Sequence, residues 1–183
     1  MLLIAVNTQL YGEMCGGNAK GYGNVCLVAL GTGLGFAMSV DGKVLMTPTG
    51  SPLVSIWNLP YNGGILEDYA SKRGFYNTWE IVTGSKPSDD MTVAEMGRLA
   101  GEDDRTALEV FGKVGEFIGK NIKNHLVEFK IECLLFGGQI SRSFRFMEEA
   151  VRKELSDIEG LQITTVSDFS NAAFKGLVEM LKK

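Results

Sequence analysis

The chain has 183 residues, 45% of them hydrophobic and 22% charged, the make-up of an ordinary globular protein long enough for one substantial core. Its formal net charge of −4 argues against a nucleic-acid partner, which needs clustered Lys and Arg against phosphates. Cys15, Cys26 and Cys133 are isolated and form no C-x-x-C pair; they suggest neither disulfides nor a zinc knuckle and fit a reducing, cytoplasmic setting. Met1 to Val6 is too short for a signal-peptide core, and no later run approaches the roughly 20 apolar residues that cross a bilayer, so no membrane partner is expected.

In chain order, Leu2 to Val6 has the composition of a short buried strand, and Asn7 to Met14 reads as a turn or two of helix ending near Cys15-Gly16-Gly17. Asn18 to Gly23 is a glycine-rich connector. Val25 to Leu30 has strand length and composition, Gly31-Thr32-Gly33-Leu34-Gly35 interrupts it, and Phe36 to Val40 resumes the sheet. Asp41-Gly42 between apolar runs is a two-residue hairpin signal that makes the flanking strands antiparallel neighbours. The glycine loop has two readings: backbone N–H groups and the Thr32 hydroxyl close against a phosphate, or a tight turn that needs positive φ and binds nothing. It is not a dinucleotide fingerprint, because Phe36 replaces the third glycine and strand follows. Nor is it a Walker A loop, because no Gly-Lys-Ser/Thr follows.

Thr47 to Gly64 holds three of the four prolines and reads as an irregular loop, with Trp57 as its core anchor. Ile65 to Lys72 begins a helix, and Thr92 to Ala100 is a short one with a Thr92/Glu95 capping box. Asp104 to Phe129 is a long amphipathic helix, with Ala107, Val110, Phe111, Val114, Phe117, Ile118, Ile122 and Leu126 at three- and four-residue steps. Gly112, Gly115 and Gly119 lie near one stripe of it and imply a close-packed neighbour. His125, the only histidine, has no evident partner and reads as structural or solvent-facing. Glu132 to Phe136 is a strand ending at Gly137-Gly138, a βα turn capped by Ser141 or Ser143. Phe144 to Leu155 is amphipathic, Leu161 to Val166 a strand and Asp168 to Leu181 a closing helix.

The landmarks Asn7 with Gly12-Glu13, Gly31-Thr32-Gly33-Leu34-Gly35, Leu66-Glu67-Asp68-Tyr69-Ala70-Ser71 and Phe136-Gly137-Gly138-Gln139-Ile140-Ser141, in this order, resemble the ROK family of sugar kinases and sugar-responsive repressors. The resemblance implies an α/β fold of the actin-like ATPase, RNase H-like type, a mixed sheet with flanking helices. It matches the C-terminal domain of a family member as a single domain over 1–183, with the N-terminal phosphate-binding domain absent and the chain incomplete. It implies transfer of the γ-phosphoryl of ATP, with Mg2+, to a hexose or N-acetylhexosamine, and pairing as a homodimer. Phe111, Phe117 and Trp57 are the apolar residues expected to need cover. By resemblance, Asn7 and Glu67 contact the sugar; Asn7 could equally cap a helix, and Glu67 could simply favour a helix dipole. Gly31, Thr32 and Gly33 take the phosphates, and Gly137 and Gly138 lie under adenine. The family's catalytic Asp falls on Ala5, which takes no proton. Trp57 stands about where the family's sugar-clamping His would be, and with Asn58 could still stack on and bond a sugar ring; Ile65 replaces a zinc-binding Cys, so no zinc is expected. These departures imply a catalytically impaired kinase or, alternatively, a non-catalytic sugar-sensing or scaffold protein.

Overall fold

The computed structural model describes residues 2–169. Its centre is a five-stranded mixed sheet in the order β3-β2-β1-β6-β7. Strand β1 (Val25–Leu30) pairs antiparallel with β2 (Leu34–Val40), which turns through Asp41-Gly42 into β3 (Lys43–Val44). The left-handed φ values of 50° at Asp41 and 76° at Gly42 suit the Asp-Gly pair that the sequence places there. On its other side β1 runs parallel to β6 (Cys133–Gly137), and β6 parallel to β7 (Gln162–Thr165).

Because strand side chains alternate, each central strand feeds two cores. Cys26, Val28, Leu30, Leu34, Phe36, Met38, Leu134 and Phe136 face a large core shared with α2 (Lys72–Thr83), α3 (Val93–Ala100), α4 (Arg105–Glu128) and α5 (Glu148–Glu154). Val25, Leu27, Ala37, Cys133 and Leu135 face a smaller one closed by Val6 and Leu10 of α1 (Leu2–Gly16). Cys26 and Cys133 thus lie on opposite faces of the sheet. Burial pushes both thiols up, that of Cys133 to about 11, so both stay protonated and packed. None of the described helices is long and apolar enough to cross a membrane.

Helix α4 is the spine. Its side chains from Ala107 to Leu126 fill the large core, and Asp104 caps it by accepting from the Ala107 amide at 2.8 Å. Two of its three glycines answer to a neighbour: a Cβ on Gly115 would lie 2.7 Å from the Met147 carbonyl, and one on Gly119 2.7 Å from Glu154 Cβ. A Cβ on Gly112 would meet nothing within 4 Å. Gly112→Ala is therefore expected to stabilise the protein by about 0.5–1 kcal/mol through lost unfolded-state freedom, and Gly115→Ala to destabilise it. Urea midpoints of the two variants moving in opposite directions is the check.

Four expectations need correction. Leu2 to Val6 is helical, not a strand: five apolar residues continue without a break into Asn7–Met14, and the joined 15-residue run packs one face on the sheet. Thr47 to Gly64 is not wholly irregular, since Asn62-Gly63, both at left-handed φ, turns a small hairpin of β4 (Pro60–Tyr61) and β5 (Gly64–Ile65). Ile65 to Lys72 does not begin an α-helix: Leu66–Asp68 is a 3-10 turn, and α2 starts afresh after Ser71, whose side chain accepts from the Gly74 amide. Phe144 to Leu155 is split, 3-10 turns over Gln139–Phe146 preceding α5. Most of the closing helix expected over 168–181, its residues 170–181, lies outside the described residues.

Candidate functional site

The parallel strands β1, β6 and β7 all end on one edge, where an open α/β sheet places its ligands. There Gly31-Thr32-Gly33 leaves β1 and re-enters the sheet at Leu34. Thr32 is exposed, and a Cβ on Gly31 would meet nothing within 4 Å. Neither Gly31 nor Gly33 has a positive φ. Positive φ is therefore not what calls for glycine here, although the Gly31 amide does close the turn on the Gly33 carbonyl at 3.1 Å. Gly35 has a plain packing reason: its Cβ would press on Ala29 and Val6 at 3.2 and 3.4 Å.

Gly137 and Gly138 are different. A Cβ on Gly137 would meet Gln9 Oε1 at 2.8 Å, and one on Gly138, at φ +78°, would sit 2.2 Å from the Leu30 carbonyl oxygen. Both positions face protein, so packing accounts for their glycine identity whether or not a base lies over them. Ser141 does not cap through an amide; its hydroxyl donates to the Gly137 carbonyl at 2.6 Å and closes the turn. Beside this turn, α3 and the segment after β6 enclose a cavity of about 340 Å³ lined by Val93, Ala94, Gly97, Gln139, Ile140 and Ser143. The α3 residues were not singled out from the sequence, because only the fold brings them to Gly138.

The two sugar-assigned side chains are both anchored. Asn7, 2% exposed, donates from Nδ2 to the Gly50 carbonyl at 2.9 Å, while its Oδ1 is buried without a hydrogen-bond partner. It sits inside α1, not at its start, so helix capping does not explain it. Glu67 accepts from the Leu34 amide at 2.9 Å through Oε2, and its own amide donates to the Trp57 carbonyl at 3.0 Å. The loop 47–59 is therefore tied to both residues. Trp57 is 38% exposed and is not the core anchor expected of it. Phe111 is fully buried against Phe75 and Phe146 inside the chain, and Phe117 packs on Tyr61 and Tyr69, so neither is the exposed residue expected. Ala5 lies on an exposed position of α1.

Glu13 has a role that its place in a motif did not reveal. Almost fully buried, it accepts from the Asn18 and Ser167 amides at 2.8 and 2.9 Å and from the Ser167 hydroxyl at 2.9 Å, pinning the end of α1 to the chain beyond β7. His125 packs its ring against Phe36 at 5.8 Å, a structural placement. Among the described residues there is no group of three or more His, Cys, Asp or Glu side chains arranged to hold a metal ion.

The chain is 29% identical over 156 residues to an uncharacterized protein of Clostridium perfringens, covering 82% of this chain and 52% of that one. Its fold superposes on a protein from Cytophaga hutchinsonii provisionally named a sugar kinase, with a TM-score of 0.86 at 19% identity over 98% of this chain and 64% of that one. It also superposes on a ROK family glucokinase from Streptomyces griseus, solved with glucose and AMPPNP, with a TM-score of 0.82 at 18% identity over 96% of this chain and 66% of that one. The chain thus spans between half and two-thirds of these relatives, and its fold is the actin-like ATPase type of the ROK kinases. The family model described as "ROK family" matches residues 60–173, well over half of the sequence, and the chain belongs to the ROK family.

Proposed function

We propose that this chain forms one side of a sugar-kinase site, binding a nucleotide and a hexose or N-acetylhexosamine, and that the 183 residues alone do not turn the sugar over. The observation that carries the reading is the Gly31-Thr32-Gly33 loop at the ends of the parallel strands, with Thr32 exposed and neither φ nor packing calling for Gly31. Its amides and the Thr32 hydroxyl suit phosphate oxygens, and the cavity between α3 and the Gly138 turn suits a flat base. Bound ATP would supply the γ-phosphoryl group, with Mg2+ carried on its phosphates. Glu67, whose carboxylate keeps some exposure, offers an acceptor for a sugar hydroxyl; Asn7 Oδ1 is buried and without a hydrogen-bond partner, and would accept only if the loop over it at Gly50 moved aside.

Ala5 supplies no proton acceptor, and a general base is worth about 10²- to 10⁴-fold. A coupled ATP-consumption assay with glucose, mannose, N-acetylglucosamine and N-acetylmannosamine is expected to stay at background. Sugar-dependent turnover that Glu67→Gln abolishes would overturn this. The same Ala5 favours a second reading, a non-catalytic sugar sensor; calorimetric binding of glucose or N-acetylglucosamine without ATP consumption selects it. Met46, Leu53 and Trp57 expose apolar surface on one segment, and a homodimer covering it is expected in the cytoplasm. Light scattering at the 19.9 kDa of one chain would remove the dimer.

A further inference from the structure

The loop Gly31–Leu34 is held at both ends by one segment more than thirty residues away. The Lys72 amide donates to the Gly31 carbonyl at 2.8 Å, and the Leu34 amide donates to Glu67 Oε2 at 2.9 Å. Within the loop the Gly31 amide donates to the Gly33 carbonyl at 3.1 Å. Two half-buried glycines either side of an exposed Thr32, with little internal bonding, leave such a loop many conformations, so its shape depends on what grips its ends.

The gripping segment is itself braced. The Ser71 hydroxyl donates to the Glu67 carbonyl at 2.7 Å, and the Glu67 amide to the Trp57 carbonyl at 3.0 Å. Asn77 Nδ2 donates to the Asp68 carbonyl at 2.8 Å, and the Arg73 guanidinium lies 2.5 Å from Asp68 Oδ1 and 3.7 Å from Glu67 Oε1. Glu67 therefore uses one oxygen on the loop and keeps the other in a looser contact with Arg73.

We infer that Glu67 is a positioning residue for the Gly31-Thr32-Gly33 loop, fixing its exit through the Leu34 amide while Lys72 fixes its entry. The carboxylate assigned to the sugar then also sets the shape of the phosphate loop. This use of Glu67 rests on the site proposed above only in naming what the loop binds. A charge-assisted hydrogen bond to an otherwise weakly tethered amide is strong enough to govern its local opening.

The test is native-state amide hydrogen exchange by NMR on the full 183-residue chain, without ligand. Glu67→Ala is expected to speed exchange at Leu34 roughly tenfold or more. Glu67→Gln, which keeps an acceptor oxygen, restores most of the protection, and Arg73→Ala leaves Leu34 unchanged. Amides of α4 keep wild-type rates in all three variants. Unchanged exchange at Leu34 in Glu67→Ala, no rescue by Gln, or an equal loss of protection through α4 would each overturn the inference. The readout needs neither sugar nor nucleotide, so its failure is separable from a failure of the kinase reading.

Discussion

Gly138→Val is expected to cost the folded state, not merely a ligand. Gly138 sits at φ 78° and ψ 165°, a region that residues with a Cβ essentially never occupy. A Cβ there would lie 2.2 Å from the oxygen and 2.7 Å from the carbon of the Leu30 carbonyl. Both belong to the backbone of β1, so no rotamer change relieves the clash. Relief requires prising β1 from β6, which pair without interruption from Val25 opposite Cys133 to Ala29 opposite Gly137. Strain and clash together cost about 3 kcal/mol or more, a large part of the roughly 5–15 kcal/mol that holds a domain together. Thermal melting should show a midpoint about 10 °C or more below wild type, or no cooperative transition. A wild-type midpoint would mean that the β1–β6 junction yields far more readily than the geometry requires.

Phe111→Ala should be comparably severe for a different reason. Phe111 is fully buried at the middle of the large core, its ring 4.8 Å from Phe75 and 5.6 Å from Phe146. Truncation removes the ring's burial and both aromatic contacts and leaves a cavity that α2, α4 and the segment after β6 cannot close together. The expected cost is about 3–5 kcal/mol by urea denaturation. Phe117→Ala, six residues further along the same helix but only half-buried, serves as the comparison and should cost clearly less. Equal losses at the two positions would contradict this account of the core.

How far the sequence could be read follows from the range of the forces involved. The span of α4 was legible within a residue at each end because its periodicity runs through many turns and Asp104 stands at the cap. β1 and the Asp41-Gly42 turn were legible because strand composition and a two-residue hairpin signal are local. Leu2 to Val6 was misread because a five-residue apolar run has no period of its own; the helix shows only when it is joined to Asn7–Met14. Ile65 to Lys72 was misread as the start of a helix because Ser71 begins the helix instead, and an N-cap inside a candidate helix is indistinguishable from a surface serine without its amide partner. In the site, the glycine loop was visible as a motif, but which glycines need to be glycine was not. Gly31 stands in open space, whereas Gly35, Gly137 and Gly138 answer to Val6, Gln9 and Leu30, contacts set by sheet register. The same holds for Glu67, whose bond to Leu34 bridges 33 positions of sequence, and for the α3 wall of the cavity beside Gly138.

The claim at the centre of this account is that Gly31-Thr32-Gly33 takes phosphate. Calorimetric titration of the wild-type chain and of Gly31→Val with ATP and magnesium tests it most directly, because the Cβ of the substitution meets nothing in the fold yet occupies the space a phosphate would need. The account predicts weak binding to wild type, with a Kd of about 1 mM, since one side of a site lacks the preorganisation of two. It predicts no detectable binding to Gly31→Val at an unchanged melting temperature. Binding of equal strength in both proteins, or none to either at ligand concentrations well above that value, would contradict it.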